Sequence, residues 1–475
     1  MEKISNILPR EYRQQMKEIL GDNFERYIKS LDETSVRGFN INTKKISRDE
    51  FLKNNNLKVD LTKVSFEDNA FIFQGDEKVG FSPEHLAGLI YVQEPSSMMA
   101  VCASGIESEK RPLKILDLCA APGGKTSQIA NKVSDDSIIF SNEIIKSRAE
   151  ILRANIERQG FKNVVVLNEE PKDLLCFEGF FDYVFVDSPC SGEGMFRKNP
   201  ETIKEWNLAN VEMCASRQRE ILDIAQKLVK SDGKLIYSTC TFNLKEDEEI
   251  VDWFLNNYDF ELEDVDDKIK NVTLASKIKN DNPEKARKFF PFCYSGEGQF
   301  VAVFKSNNEY KNKLFAKKHY RCVVQIGQSE NRLVKEFTSS SLTEDFSWKD
   351  LYRVGNSIYY APSAFDGFMQ TALEDLKFVS IGVKIGSIEK NRFEPNHSVF
   401  MSLSDRFKIK VELDDNELKS YLHGEELKKP ELNVKCYAVI TKNGYSIGGA
   451  KIIDGKIKNL YPRGLRYWWK KSIIA

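Results

Sequence analysis

The apolar positions change period along the chain. Between Lys114 and Phe304, short apolar runs alternate with amphipathic stretches. KILDLC (114–119), SIIFSNE (137–143), NVVVLN (163–168), FFDYVFVD (180–187) and KLIYSTC (234–240) have the length and composition of buried strands. KSRAEILRANIERQ follows the second run with helical spacing and stops at Gly160, a residue suited to a helix C-terminus. A longer amphipathic helix is predicted over roughly 211–230, ending near Gly233, and another over EDEEIVDWFLNN. QFVAVFKS closes the unit. Strands alternating with helices predict an α/β unit with a mostly parallel, doubly wound sheet.

The flanking regions read differently. Residues 1–100 look like a mixed helix and strand (α+β) region, and 101–305 form the unit just described. SNNEYKNKLFAKK (306–318) is polar and basic, like a linker. A third domain is expected over 315–385 and a fourth over 395–475. Asn443-Gly444 and Asp454-Gly455 are hairpin signals in the fourth.

Composition narrows the classes. A chain of 475 residues is too long for one ordinary core. With 41% hydrophobic and 30% charged residues it reads as soluble and globular. No apolar run is long enough for a bilayer, and MEKISNILPREYRQQ lacks the apolar centre of a secretory signal. A cytoplasmic monomer with no membrane partner is expected. The nine cysteines show no CxxC spacing, so free thiols are expected rather than a disulfide framework. The four histidines lie far from the motifs below, so chemistry there must use other groups.

The net charge of −1 does not announce a nucleic-acid binder. Charge is uneven, however. Lys451, Lys456, Lys458, Arg463, Arg466, Lys470 and Lys471 surround one acid, Asp454, with Tyr461, Tyr467, Trp468 and Trp469 among them. A basic stretch interleaved with aromatics suits looped or single-stranded RNA, although a solvated face would look the same.

Three motifs carry chemistry. DLCAAPGGKT (Asp117 to Thr126) joins a strand to a helix, where small residues and Gly123-Gly124 let backbone approach a ligand closely. Its GGKT ending resembles a phosphate-binding loop, but Cys119 stands where that loop needs glycine. Glu143, ending the next strand, lies where an acid can accept hydrogen bonds from a ribose. DSPCSGEG (Asp187 to Gly194) and YSTCTFNLKEDE (Tyr237 to Glu248) each set a cysteine at the C-terminal end of a parallel strand, where such folds bind ligands. A lone buried cysteine is usually a packing residue; two so placed are a candidate pair. Zinc is a poor alternative without paired ligands, and no metal is expected.

CAAPGGKT, DSPCSGEG and STCT followed by acids closely resemble the Nop/Sun family of RNA cytosine-C5 methyltransferases, over the whole catalytic unit. GGAKIIDGKIKNLYPRGLR resembles the last, PUA-like domain of bacterial RsmF-type ribosomal RNA methyltransferases. The resemblance implies a Rossmann-like methyltransferase fold, S-adenosylmethionine as donor, and RNA-binding regions at both ends. The expected substrate is ribosomal RNA or a small ribosomal subunit. It implies that Cys119, Ala120, Ala121, Pro122, Gly123, Gly124 and Lys125 wrap the methionine end of the cofactor and that Glu143 holds the ribose. Glu170 falls where the family has an Asp near the adenine, with Glu169 adjacent. Arg148 matches a frequent arginine, and Arg287 and Pro291 a further motif before GEGQF. Asp187 is implied near the methyl group and target base, Lys125 beside it, Cys240 as nucleophile and Cys190 as the second cysteine. Rival readings are a transfer RNA methyltransferase of the same family and a noncatalytic RNA-binding assembly factor.

Overall fold

The computed structural model describes residues 3–74, 78–279, 281–309, 324–347, 350–361 and 376–466. The expected linker from 310 onward, and Tyr467, Trp468, Trp469, Lys470 and Lys471 of the basic stretch, lie outside these residues.

Helices α1 (Arg10–Leu20) and α2 (Phe24–Leu31) open the chain. A four-stranded antiparallel sheet follows, from β1 (Arg37–Ile41), β2 (Asp60–Lys63), β3 (Ala70–Gln74) and β4 (Ile90–Val92), in the order β2-β3-β1-β4.

The central unit contains β5 (Lys114–Asp117), α3 (Gly124–Lys132), β6 (Ile138–Asn142), α4 (Lys146–Gln159), β7 (Val164–Leu167) and β8 (Phe181–Asp187). It continues with α5 (Leu208–Leu228), β9 (Val229–Thr239), α6 (Glu248–Asn257) and β10 (Gln299–Ser306). Strands β9, β8, β5, β6 and β7 run parallel in that spatial order, and β10 pairs antiparallel with β9. Alternate residues enter two cores. Leu116, Phe140 and Val184 pack on one face of the sheet, Ile115, Ile139 and Phe185 on the other. This is the Rossmann-like α/β architecture that the alternation predicts.

The sequence misplaced one boundary. Helix α5 is capped by the Asn207 side chain, which accepts from Asn210 N at 2.9 Å, and ends at Leu228 rather than near Gly233. Val229 is buried and already pairs with Phe181. The chain turns at Asp232, whose φ is 58°, inside the strand.

One strand was not foreseen. Residues Phe378–Ile381, here β11, pair antiparallel with β7 and cover that edge of the central sheet. They lie within the region expected to form a third domain. That region also carries α7 (Gln328–Ser341) and the antiparallel strands Leu351–Val354 and Ser357–Tyr360, and their sheet continues past the expected end at 385 through Val383–Glu389 and Arg392–Pro395.

The last region is built on β12 (Lys435–Lys442), β13 (Tyr445–Ile453) and β14 (Lys456–Asn459). Both hairpin signals act as predicted. Asn443 and Gly444 have φ of 52° and 81°, and Asp454 and Gly455 46° and 78°, the left-handed pairs such turns need. Phe39, Phe51 and Phe73 of the N-terminal region share a core with Val411, Leu422 and Ile440 of this last one. Among the described residues no helix is long and apolar enough to cross a membrane.

Candidate active site

The motifs meet at the C-terminal ends of the parallel strands. Strand β5 delivers Asp117, and the loop enters α3 at Gly124. Gly123 has φ +110°, and a Cβ there would stand 2.9 Å from Leu152 Cδ1. A Cβ on Gly124 would meet Gln93 and Tyr91 at 3.2 to 3.3 Å. The room made by these two glycines is therefore taken by α4 and the N-terminal region.

Asp117 is fully buried. One oxygen accepts from Thr126 Oγ1 at 2.6 Å, while Oδ1 is buried with no partner. Burial pushes its carboxyl up to about 6. Burial also raises the Cys119 thiol. Ala120 and Ala121 are buried, and the Ala121-Pro122 bond is cis. Arg148 donates to Ala121 O at 3.0 Å and pairs with Glu143 at 3.3 Å, tying the loop to the next strand end. Glu143 is buried and also accepts from Ile145 N at 2.9 Å. Beside it, Ile144 and Ile145 are 56% and 49% exposed, an apolar ledge at the crevice.

The two acids after β7 have different surroundings. Glu169 is buried; one carboxylate oxygen accepts from Lys377 N, just before β11, and the other pairs with Lys377 Nζ at 3.4 Å. Glu170 is half-exposed, and Lys172 at 2.6 Å holds its carboxyl below the usual range. Asn168 donates to the carbonyls of Glu143 and Ile144 at 2.7 and 2.9 Å, and its own N–H donates to Lys377 O at 3.1 Å. Strand β11 thus braces the segment carrying Glu143.

The thiols converge from neighbouring strands. Cys190 Sγ and Cys240 Sγ stand 3.3 Å apart, after β8 and β9 respectively. The hydrogen bond with Cys240, then burial, raise the Cys190 thiol. Lys125, nearly buried, reaches Asp187 Oδ2 at 2.8 Å. Asp187 Oδ1 accepts from Ser238 Oγ at 2.8 Å and Gln299 Nε2 at 3.1 Å. These bonds fix the carboxylate between β8, β9 and β10.

A buried polar frame holds both cysteine loops. The Asn243 amide donates to Glu193 at 3.0 Å and to Glu246 at 2.8 Å. Glu193 accepts from Phe242 N at 2.8 Å and Trp206 Nε1 at 2.9 Å; Glu246 accepts from Ser191 N at 3.0 Å. Gly194 donates to Cys240 O at 2.9 Å. An added Cβ on Gly298 would stand 2.2 Å from Phe242 Cζ, which is why GEGQF needs glycine there. Behind this frame, Tyr12 packs edge-on to Phe196 at 5.0 Å and Tyr27 to Phe242 at 5.8 Å. The N-terminal helices therefore back the thiol loops.

Cys119 to Lys125, Glu143, Asp187, Cys190 and Cys240 thus gather on one rim of the sheet. Glu170 stands there as an exposed, Lys172-paired acid. Arg287 is buried and donates to Thr273 Oγ1 at 2.9 Å and Thr273 O at 3.0 Å. The reading from sequence missed Asp117, though it opens the motif, and Ser238 and Gln299, which only the sheet brings to Asp187. Among the described aromatics of the basic stretch, Tyr461 is buried against Tyr421 at 5.5 Å and offers no stacking surface.

A Rossmann-like sheet with an acid-ended glycine loop and paired strand-end thiols defines a methyltransferase class. Comparisons make this specific. The family described as 16S rRNA methyltransferase RsmB/F matches residues 106–305, and the RsmF N-terminal domain matches 8–95. The RsmF first C-terminal domain matches 336–403 and its PUA domain 408–467. Ribosomal RNA small subunit methyltransferase F of Vibrio vulnificus is 30% identical over 97% of this chain and 98% of its own. That of an Enterobacter species is 29% identical over 98% and 97%. A methyltransferase homolog protein from Pyrococcus horikoshii has a TM-score of 0.56 and 26% identity, covering 64% of this chain and 97% of that one. The chain belongs to the family of ribosomal RNA small subunit methyltransferase F.

Proposed function

We propose that the chain transfers a methyl group from S-adenosylmethionine to carbon 5 of a cytosine in small-subunit ribosomal RNA, through a covalent bond from Cys240. The observation that carries this reading is the pair of thiols 3.3 Å apart beside the Lys125–Asp187 pair. Carbon 5 of cytosine is a poor nucleophile. Cys240 Sγ adding to carbon 6 makes it enamine-like, and covalent catalysis splits one hard step into easier ones. The donor supplies an electrophilic methyl on a sulfonium. Lys125 and Asp187 hold the cytosine edge. Once carbon 5 carries the methyl, its hydrogen leaves as a proton, and the electron pair of that bond expels the Cys240 thiolate from carbon 6. In this reading Cys190, whose sulfur is 3.3 Å from that of Cys240, assists the release.

The donor fits the loop on one specific count. Asp117 Oδ1 is a buried acceptor lacking a donor, the group an ammonium would satisfy. Glu143 suits a ribose and Ile144 an adenine face. Cys119 to Gly123 would follow the methionine end.

The test is RNA carrying tritium at cytosine carbon 5. Purified protein and donor should release tritium to water in step with methyl incorporation. Methyl incorporation without tritium release would place the methyl elsewhere.

Asp117 gives a pH prediction. Its folded value near 6 means the carboxylate is ionised above pH 6 and protonated below. Donor affinity should therefore fall as pH drops below 6, despite Lys125 nearby and the acids Asp187 and Glu143. Asp117→Asn should bind more weakly at pH 7.5, roughly tenfold, with a flat profile below it. Calorimetric titration at several pH values checks this; an unchanged profile in the variant would assign the dependence to another group.

A further inference from the structure

The segment that carries Cys240 joins β9, which ends at Thr239, to α6, which starts at Glu248. Residues 240–247 form a loop without regular structure. A loop that presents a nucleophile must be held firmly, since a displacement of about 1 Å at the reacting atom can cost a hundredfold in rate.

Four acids are buried in or beside this loop: Glu193, Glu246, Asp247 and Glu248. Glu193 and Glu246 are met by neutral donors from Trp206, Gln218, Asn243 and the backbone. Asp247 and Glu248 meet a cation instead. Lys288 comes from the strand Arg287–Phe289, which pairs antiparallel with β10, and its side chain is 2% exposed. Its Nζ donates to Glu248 Oε2 at 2.7 Å and to Phe242 O at 2.6 Å, and stands 3.2 Å from Asp247 Oδ2. Asp247 Oδ1 in turn accepts from Thr239 Oγ1 at 2.7 Å, and Glu248 Oε1 from Ser276 Oγ at 2.6 Å.

One ammonium therefore holds the loop at three points. It holds the carbonyl of Phe242 just beyond the thiol, reaches Thr239 just before it through Asp247, and anchors the first turn of α6 through Glu248. Phe290 stacks on the Phe242 ring at 4.6 Å, so one short segment grips both the ring and the carbonyl of that residue. Among the described residues Lys288 is the one basic group paired with Asp247 or Glu248. Burial lowers the Lys288 ammonium, but Glu248 and then Asp247 outweigh it and hold the group above its usual range. Burial also pushes the Asp247 carboxyl far up. A role in packing alone would be filled by an apolar side chain, because replacing buried ion pairs with apolar groups of similar volume is often neutral or stabilising. An apolar group cannot hold Phe242 O.

We propose that Lys288 is a positioning residue for methyl transfer, whose ammonium fixes the Cys240 loop so that the thiol meets the target base in attacking geometry. The proposal rests on the reading of Cys240 as the nucleophile. Being buried, Lys288 offers nothing to the donor or to RNA, so its loss should lower turnover and leave binding alone.

The experiment measures kcat and KM of the full chain on small-subunit ribosomal RNA, with donor affinity and melting followed in parallel. Lys288→Met is combined with Glu248→Gln, so that cation and carboxylate leave together and the shape is kept. In this double variant kcat should fall on the order of thirtyfold or more, with KM and donor affinity within about twofold of the parent. Lys288→Arg keeps a cation and its donors, and should recover kcat to within about fivefold of the parent. Thr239→Val cuts only the tie from Asp247 to the strand end, and should lower kcat about threefold to tenfold at unchanged KM. Parental kcat in the folded double variant, or a loss confined to KM, would overturn the proposal. So would a folded Arg variant as slow as the double variant. If the double variant does not fold, parental kcat in Thr239→Val overturns it. Cys240→Ala in the same assay separates the two readings. Retained turnover there removes the nucleophile and this role with it. An inactive Cys240→Ala beside a fully active double variant removes the role of Lys288 alone.

Discussion

Cys240→Ala should abolish methyl transfer and leave no adduct with RNA, whereas Cys190→Ala should trap one. The two thiols touch at 3.3 Å yet follow different strands. Formation of the adduct needs only a nucleophile at carbon 6; its decay needs loss of the carbon 5 proton. With Cys190 removed, the first methyl should still transfer in a single turnover. Release should slow by about 10² or more. The trapped species should survive a denaturing gel. The double variant should show none, because formation precedes release. The reverse pattern would exchange the two roles, and activity without adduct in both single variants would remove the covalent step.

Arg197→Met should destabilise the catalytic unit by about 3–5 kcal/mol. The Arg197 and Glu297 side chains are 5% and 1% exposed and meet at 2.9 Å. Arg197 also donates to Ser30 O at 3.2 Å and Gly296 O at 2.6 Å, so it joins α2, the Cys190 loop and the GEGQF segment. Its loss leaves the Glu297 carboxylate buried with Val36 N at 3.1 Å as its remaining donor. A buried charge without its partner costs far more than the pair contributes. The melting transition should drop by roughly 10 °C. Arg197→Met with Glu297→Leu should recover much of that, since no charge then stays buried. A single variant melting with the parent, or a double variant worse than the single, would count against this account.

The parts legible in the sequence were local ones. A strand running into DLCAAPGGKT, or two cysteines each ending a strand, can be read from adjacent residues. Asn443-Gly444 needs only its own backbone preference. What escaped was non-local. Gln299 meets Asp187 across 112 positions and Arg197 meets Glu297 across 100. Nothing in GGKT shows that Tyr91 and Gln93 fill the space beside Gly124. The end of α5 was misread because KLVKSDGK continues a helical pattern, while sheet pairing at Val229 overrides it.

Strand β11 also sets a schedule. Lys377 and Glu169 are 208 residues apart in sequence, so β7 leaves the ribosome long before its cover exists. At about 5–20 residues per second the interval is on the order of 10 to 40 s. During it, a parallel sheet in progress presents an open edge of unpaired N–H and C=O groups, the kind that templates misassociation between nascent chains. The brace on the Glu143 segment is likewise missing until residue 381 is made. The newborn enzyme is therefore exposed to aggregation while its methyl-donor crevice is still unbraced, and both conditions end with the same few residues.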